Sequence, residues 1–115
     1  MQPVSYTQTG VGTSPWFMPN FHMAPFSIDI ECGVTGTATY SIEITMDDYW
    51  TPPNQVNVPW SPTGAVRVRP TGITAATTNQ SMLLTTPCRG WRVNVTAGSG
   101  SVAVQAVQAG IVNYG

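Results

Sequence analysis

His22 is the only histidine of the chain, and it stands between Phe21 and Met23. The one nucleophilic arrangement it suggests is a pair with Cys32. Such a pair needs a third group to orient the base, and no residue nearby supplies one, so His22 reads as packed or solvated. One histidine and two distant cysteines, Cys32 and Cys88, fall short of the four ligands of a structural zinc site. Asp47-Asp48 is the only paired carboxylate. Successive side chains of an extended chain face opposite ways, so this pair suits a turn or a cap better than glycosidase chemistry. A calcium site made from the two acids and loop carbonyls stays open. No glycine-rich loop leads into a helix to cradle phosphate. Asn94-Val95-Thr96 matches the glycosylation triplet, which matters only in a secreted chain. The sequence therefore predicts no enzyme, no cofactor and no metal.

The four tryptophans raise a different chemistry, because an indole face stacks on a sugar ring. Trp91 is in phase with Val93 and Val95 and is expected in the core. Trp16 belongs to a Pro- and aromatic-rich N-terminal stretch. Trp50 and Trp60 lie in a segment broken by Pro52, Pro53, Pro59 and Pro62. They either stack on carbohydrate or seal the end of a domain or an interface, and the second reading is preferred.

Only 8% of residues are charged, against roughly a quarter in an average soluble domain. Four arginines and no lysine face five acids, for a net charge of −1. Charge keeps folded proteins apart in water, so a surface this poor in it is expected to be covered by neighbours. The balance excludes nucleic acid, which asks for a basic face. No run reaches the ~18 apolar residues of a membrane helix. Met1–Gly12 lacks the basic start and apolar stretch of a secretory leader, which points to assembly in a cytoplasm. There the cysteines would begin as thiols. Two buried free thiols are the preferred reading, and a Cys32–Cys88 disulfide stays open.

Two regions must position these residues. Residues 1–25 read as an extended N-terminal arm, since Pro3, Pro15, Pro19 and Pro25 exclude a long helix or a central strand. Its apolar residues, Trp16, Phe17, Met18, Phe21 and Met23, must dock, either on its own domain or on a neighbouring subunit. Residues 26–115 read as the β-sandwich domain, with period two from Phe26 and a Pro-rich loop region at Asp47–Gly64. Phe26, Ile28, Ile30 and Cys32, then Tyr40, Ile42, Ile44 and Met46, are expected inward. A hairpin turning at Gly36 would pair Ile30 with Ile42 and set Asp29 opposite Glu43, with Arg67 or Arg69 to answer the acids. A short strand at 65–69 should turn Val66 and Val68 inward, and another strand is expected around Ser81–Thr85. A second hairpin would pair Val95 with Val102 and Val93 with Val104, with a bulge near Gln105–Ala106 where the phase slips. The expected fold is an all-β antiparallel β-sandwich, jelly-roll-like, with an extended N-terminal arm.

Two blocks carry a resemblance: Pro25–Asp48 (PFSIDIECGVTGTATYSIEITMDD) and Thr86–Gly110 (TPCRGWRVNVTAGSGSVAVQAVQAG). Together they cover about half the chain. They resemble small structural proteins of tailed bacteriophages, in which an early strand ends in a V-x-G-T-type turn and a late V-T-x-G-x-G-x-V segment closes the domain. The resemblance implies a virion component assembled in the host bacterial cytoplasm. It implies a non-enzymatic capsid decoration (cement) protein that stabilises the head by bridging subunits, or less often a neck or tail part. A carbohydrate-binding module on such a particle is the alternative. The implied partners are the major capsid protein and copies of the chain itself, as a homotrimer, with no nucleic acid and no membrane. The interface is expected at Trp16, Phe17, Phe21, Trp50 and Trp60.

Overall fold

Period-two alternation of β-branched and polar residues builds nearly every element. The computed structural model describes residues 3–19, 24–47 and 67–111. Within them run β1 (Val4–Thr9), β2 (Gly12–Thr13), β3 (Ala24–Thr35), β4 (Thr39–Thr45), β5 (Arg69–Pro70), β6 (Gln80–Leu84), β7 (Gly90–Ala97) and β8 (Ser101–Ile111). They form two antiparallel four-stranded sheets packed as a sandwich. Sheet A has the order β1-β8-β3-β6 and sheet B the order β2-β7-β4-β5. The expected inward residues fill the space between them: Ile28, Ile30, Val102 and Val104 from sheet A meet Tyr40, Ile42, Trp91, Val93 and Val95 from sheet B, all fully buried. Each such side chain contributes about 1.5–3 kcal/mol by leaving water.

The two expected hairpins are not hairpins. β3 and β4 lie in different sheets, and so do β7 and β8. Ile30 pairs with Ala106 rather than Ile42, and Val102 with Val34 rather than Val95. Val93 lies beside Ile42, and Val95 beside Tyr40. Apart from Met46, the residues expected inward on these four strands are buried all the same, because a strand that crosses to the opposite sheet buries the same alternate residues as one that folds back beside its neighbour. Crossing gives every strand of β3, β4, β7 and β8 a partner on both sides, which a lone hairpin cannot.

The crossings stack on one another. Gly100 N–H donates to the Thr37 carbonyl at 2.8 Å, and Gly10 N–H donates to the Gly100 carbonyl at 2.9 Å. The turns after β1, β3 and β7 thus lie backbone against backbone. A side chain at Gly100 would overlap the Thr35 carbonyl oxygen and come within 2.7 Å of Thr37 N. Gly98 also carries a φ of +97°, a region that favours glycine. The likeness of the two Gly/Thr turns in sequence has its cause in this contact.

Residues 4–17, within the expected arm, pack on their own domain. β1 closes the edge of sheet A against β8, and β2 closes sheet B against β7. Beyond β2 the chain follows β7, with Ser14 bonded to Val93 and Phe17 bridging Trp91. Both strands are edges, as the flanking prolines require.

Three smaller expectations also change. β8 stays in register through Gln105–Ala106, and the irregularity falls on β3 between Ala24 and Ser27. With no slip, Val107 points outward and is 55% exposed, while Gln108 is buried. Val68 and Met46 are exposed rather than inward. Past β4 the burial phase flips because polar bonds tie the 67–69 segment over the sheet. Thr45 Oγ1 donates to the Arg67 carbonyl, and Arg67 N–H donates to the Asp47 carboxylate.

Candidate functional site

Neither cysteine is placed for nucleophilic work. Cys32, at the inward face of β3, and Cys88, just before β7, are both buried free thiols. Burial pushes each up from its ordinary value of 9.0 to about 11, with smaller opposing effects from Tyr40 on Cys32 and from the Gly90 backbone on Cys88. A catalytic thiol needs the opposite shift. Burial, followed by the neighbouring Cys32, also raises the Tyr40 phenol, which donates its proton to the Thr78 carbonyl at 2.8 Å. His22 and Asp48 lie outside the described residues. Asp47 holds the turn after β4 through its bond from Arg67, which is the structural role its dipeptide suggested. Among the described residues no three His, Cys, Asp or Glu side chains gather where they could hold a metal ion.

What the fold does build is outward surface. On sheet B, Glu43 of β4 stands opposite Arg92 of β7, not opposite Asp29. Arg92 Nε donates to Glu43 Oε1 at 2.9 Å, and Asn94 Nδ2 to Glu43 Oε2 at 3.3 Å. The partner of Glu43 is thus Arg92, and Arg67 and Arg69 serve elsewhere. The Arg92 guanidinium lies over the Trp16 ring, its Cζ 4.3 Å from the ring centroid, a favourable cation–π geometry. Trp16 is half-buried. The next residue, Phe17, turns the other way. Its ring packs 4.8 Å from Trp91 and 5.6 Å from Tyr6 and plugs the gap between the sheets at this edge. Of the five residues expected at an interface, Trp16 and Phe17 are therefore neighbours on opposite faces, and Phe21, Trp50 and Trp60 lie outside the described residues. Trp91 Nε1 is buried without a hydrogen-bond partner.

On sheet A the outward positions form a broad polar face. Gly33 and Ala103 are cross-strand partners and floor an open hollow of about 600 Å³, walled by Glu31, Asn79, Gln80, Ser81 and Gln105. Asn79 is held there by accepting the Val34 N–H at 2.8 Å. Nearer the other end, Leu83, Asp29 and Val107 form one row across three strands. Leu83 is 61% exposed. The signal for this row was present in the sequence as apolar residues at outward positions, Leu83 between Met82 and Leu84, and Val107 after Ala106. A smaller hollow of about 290 Å³ beside β5 is lined by Met46, Asp47, Arg67, Val68 and Arg69.

No protein-family model, curated protein or solved structure matches the chain. The functional argument rests on these surfaces.

Proposed function

We propose that this chain is a non-enzymatic structural protein of a tailed-bacteriophage particle, a decoration protein that binds the outside of the head and bridges capsid subunits. The observation that carries the reading is the exterior of sheet A. Its outward positions along β1, β3 and β8 include Ser5, Thr7, Ser27, Ser101, Ala103 and Gln105, and the charged residues among them are Asp29 and Glu31 alone. Hydroxyls and amides form hydrogen bonds to a partner without the cost of stripping water from ions. Such a face suits lasting coverage better than free solution. The strand order β1-β8-β3-β6 over β2-β7-β4-β5 supports the jelly-roll form of sandwich, a form that viral capsid domains use. Winding alone assigns no function, so it stands beside the surface argument and does not replace it.

In this reading the sandwich is a rigid block that meets the major capsid protein and further copies of itself, arranged as a homotrimer. Trp16 on sheet B, together with Phe21, Trp50 and Trp60, supplies aromatic area for the capsid contact. A contact of that kind depends little on salt. The test is peptide mass spectrometry and immunogold labelling of purified particles of the phage that encodes the chain. The expected result is the chain on heads in numbers comparable to the capsid protein, retained in about 1 M salt, where screening shortens to about 3 Å. Absence from particles, or label confined to tails, overturns the proposal.

A further inference from the structure

Among the described residues Asp29 and Glu31, acids without an ion pair, lie on sheet A, whereas sheet B and the turn after β4 carry Arg67, Arg69 and Arg92 together with Glu43 and Asp47. The outward face of sheet A carries Asp29 and Glu31 and no described basic residue. Arg67 and Arg69 lie together at the start of β5, on the edge of sheet B, both exposed. Asp29, Glu31 and Arg69 have no ion-pair partner among the described residues, where the one pair is Arg92–Glu43. Four of the exposed large apolar residues lie beside these charges, and two more, Val11 and Met18, lie elsewhere on the N-terminal stretch. Leu83 and Val107 flank Asp29 in one row about 10 Å wide, from the spacing of adjacent strands. Met46 and Val68 flank the arginines around the 290 Å³ hollow, whose lining also includes Asp47, its carboxylate taken up by the Arg67 N–H, so that the arginines leave the hollow net positive. That hollow is preformed, because the Thr45 and Asp47 bonds to the Arg67 backbone fix its wall.

We propose that these two surfaces are the two halves of one self-association contact. The Leu83–Asp29–Val107 row of one copy docks on the Met46–Val68–Arg69 hollow of a second copy. Leu83 fills the hollow between Met46 and Val68, and Asp29 faces Arg69. Apolar area and opposite charge coincide on both halves, so the match is in sign as well as in hydrophobicity. Each copy carries both halves, and the contact closes as a twofold pair or as a small ring. The inference deepens the reading of the chain as an assembly component by naming the surface that joins copies, and it needs no phage particle for its test.

The experiment is sedimentation velocity of the purified full chain over a range of concentrations, without particles. Wild type is expected to associate, and more weakly in about 1 M than in about 0.1 M salt, as the screening length falls from about 10 Å to about 3 Å. Asp29→Arg should weaken association about tenfold or more, by setting like charges opposite each other. Arg69→Asp should do the same, and the double variant Asp29→Arg/Arg69→Asp should recover wild-type association. Leu83→Ser should weaken association at both salt concentrations. All three substituted positions are exposed, and unchanged thermal melts at low concentration verify the fold of all four variants. Recovery by the charge swap supports the contact whatever the number of copies. A wild type that stays monomeric at the highest concentration overturns it, as does association that neither charge reversal nor Leu83→Ser alters. A chain that self-associates by this route but is missing from virions would refute the capsid role alone.

Discussion

Gly100→Ala puts a methyl group in place of a hydrogen at one of the two most crowded glycines of the described residues. The new Cβ would overlap the Thr35 carbonyl oxygen and lie 2.7 Å from Thr37 N and 2.9 Å from Thr37 O. All three are backbone atoms, so no side chain can swing aside. Relief requires the β3–β4 crossing to back away from the β7–β8 crossing, which stretches the 2.8 Å bond from Gly100 N–H to the Thr37 carbonyl. Overpacking of this kind costs about 1–3 kcal/mol, and weakening the bond adds about 1 kcal/mol. The sum is about 2–4 kcal/mol. A domain of this size loses about 4 °C of Tm per kcal/mol, so the melting point should fall by about 8–16 °C. The internal control is Gly33→Ala, on the outer face of β3, where a Cβ meets nothing within 4 Å and the change should stay within about 0.5 kcal/mol. Both variants are compared with wild type by calorimetry and by urea unfolding. A Gly100→Ala protein as stable as the Gly33→Ala protein would refute stacked crossings, and with them the sheet order that depends on them.

Two further outcomes follow from the same structure. Because burial raises Cys32 and Cys88 to about 11, the folded state favours the neutral thiols; their contribution is complete below about pH 9 and is lost as the pH rises from there toward 11. Urea midpoints should therefore drop across that window, and both thiols should resist a disulfide reagent at pH 8 until the chain unfolds; rapid native-state labelling of either would contradict their burial. Removing residues 1–17 strips the strands that cover β8 and β7 and takes away the Phe17 ring that packs on Trp91 and the Tyr6 ring behind it. Bare edges pair with other chains, so size exclusion should give aggregates with no cooperative melt, and a monomeric, cooperatively folded truncation would show that these residues are only an appendage.

How far the fold could be read from sequence depended on what alternation encodes. Parity marked Ile28, Ile30, Tyr40, Ile42, Trp91, Val93, Val95, Val102 and Val104 as inward, and all are fully buried. Parity is silent about which strand lies beside which, because hairpin and crossing bury the same set. The distinguishing signal was the glycine pattern. Gly98 and Gly100 do more than a single tight turn requires, since one of them admits a neighbouring chain where it has no conformational need of its own. The misplaced bulge had a simpler cause. A phase slip near Gln105–Ala106 follows only if the apolar Val107 turns inward, whereas the strand keeps its register and exposes it. The aromatic interface set was only partly legible, because a one-residue step separates Trp16, which lies over Arg92, from Phe17, which enters the core edge.

The placement of charge bears on what the low charge content is for. Uniform removal of ions would leave a sticky surface with no preferred partner. Here the ions that remain sit at particular places: Arg92 and Glu43 tie two strands together beneath Trp16, Asp47 anchors a turn, and Asp29 and Arg69, without an ion-pair partner among the described residues, stand beside exposed apolar residues. Long-range repulsion is weak at a net charge of −1, so copies approach readily. Orientation must then come from short-range features, and within a screening length of about 8 Å the unpaired charges are the ones that can reject a wrong register. A hydroxyl-lined face supplies adhesion without selectivity, and two opposed charged patches supply selectivity with little adhesion. An assembly protein needs both, which is why the charge-swap variant tests the functional reading more sharply than any change to the core.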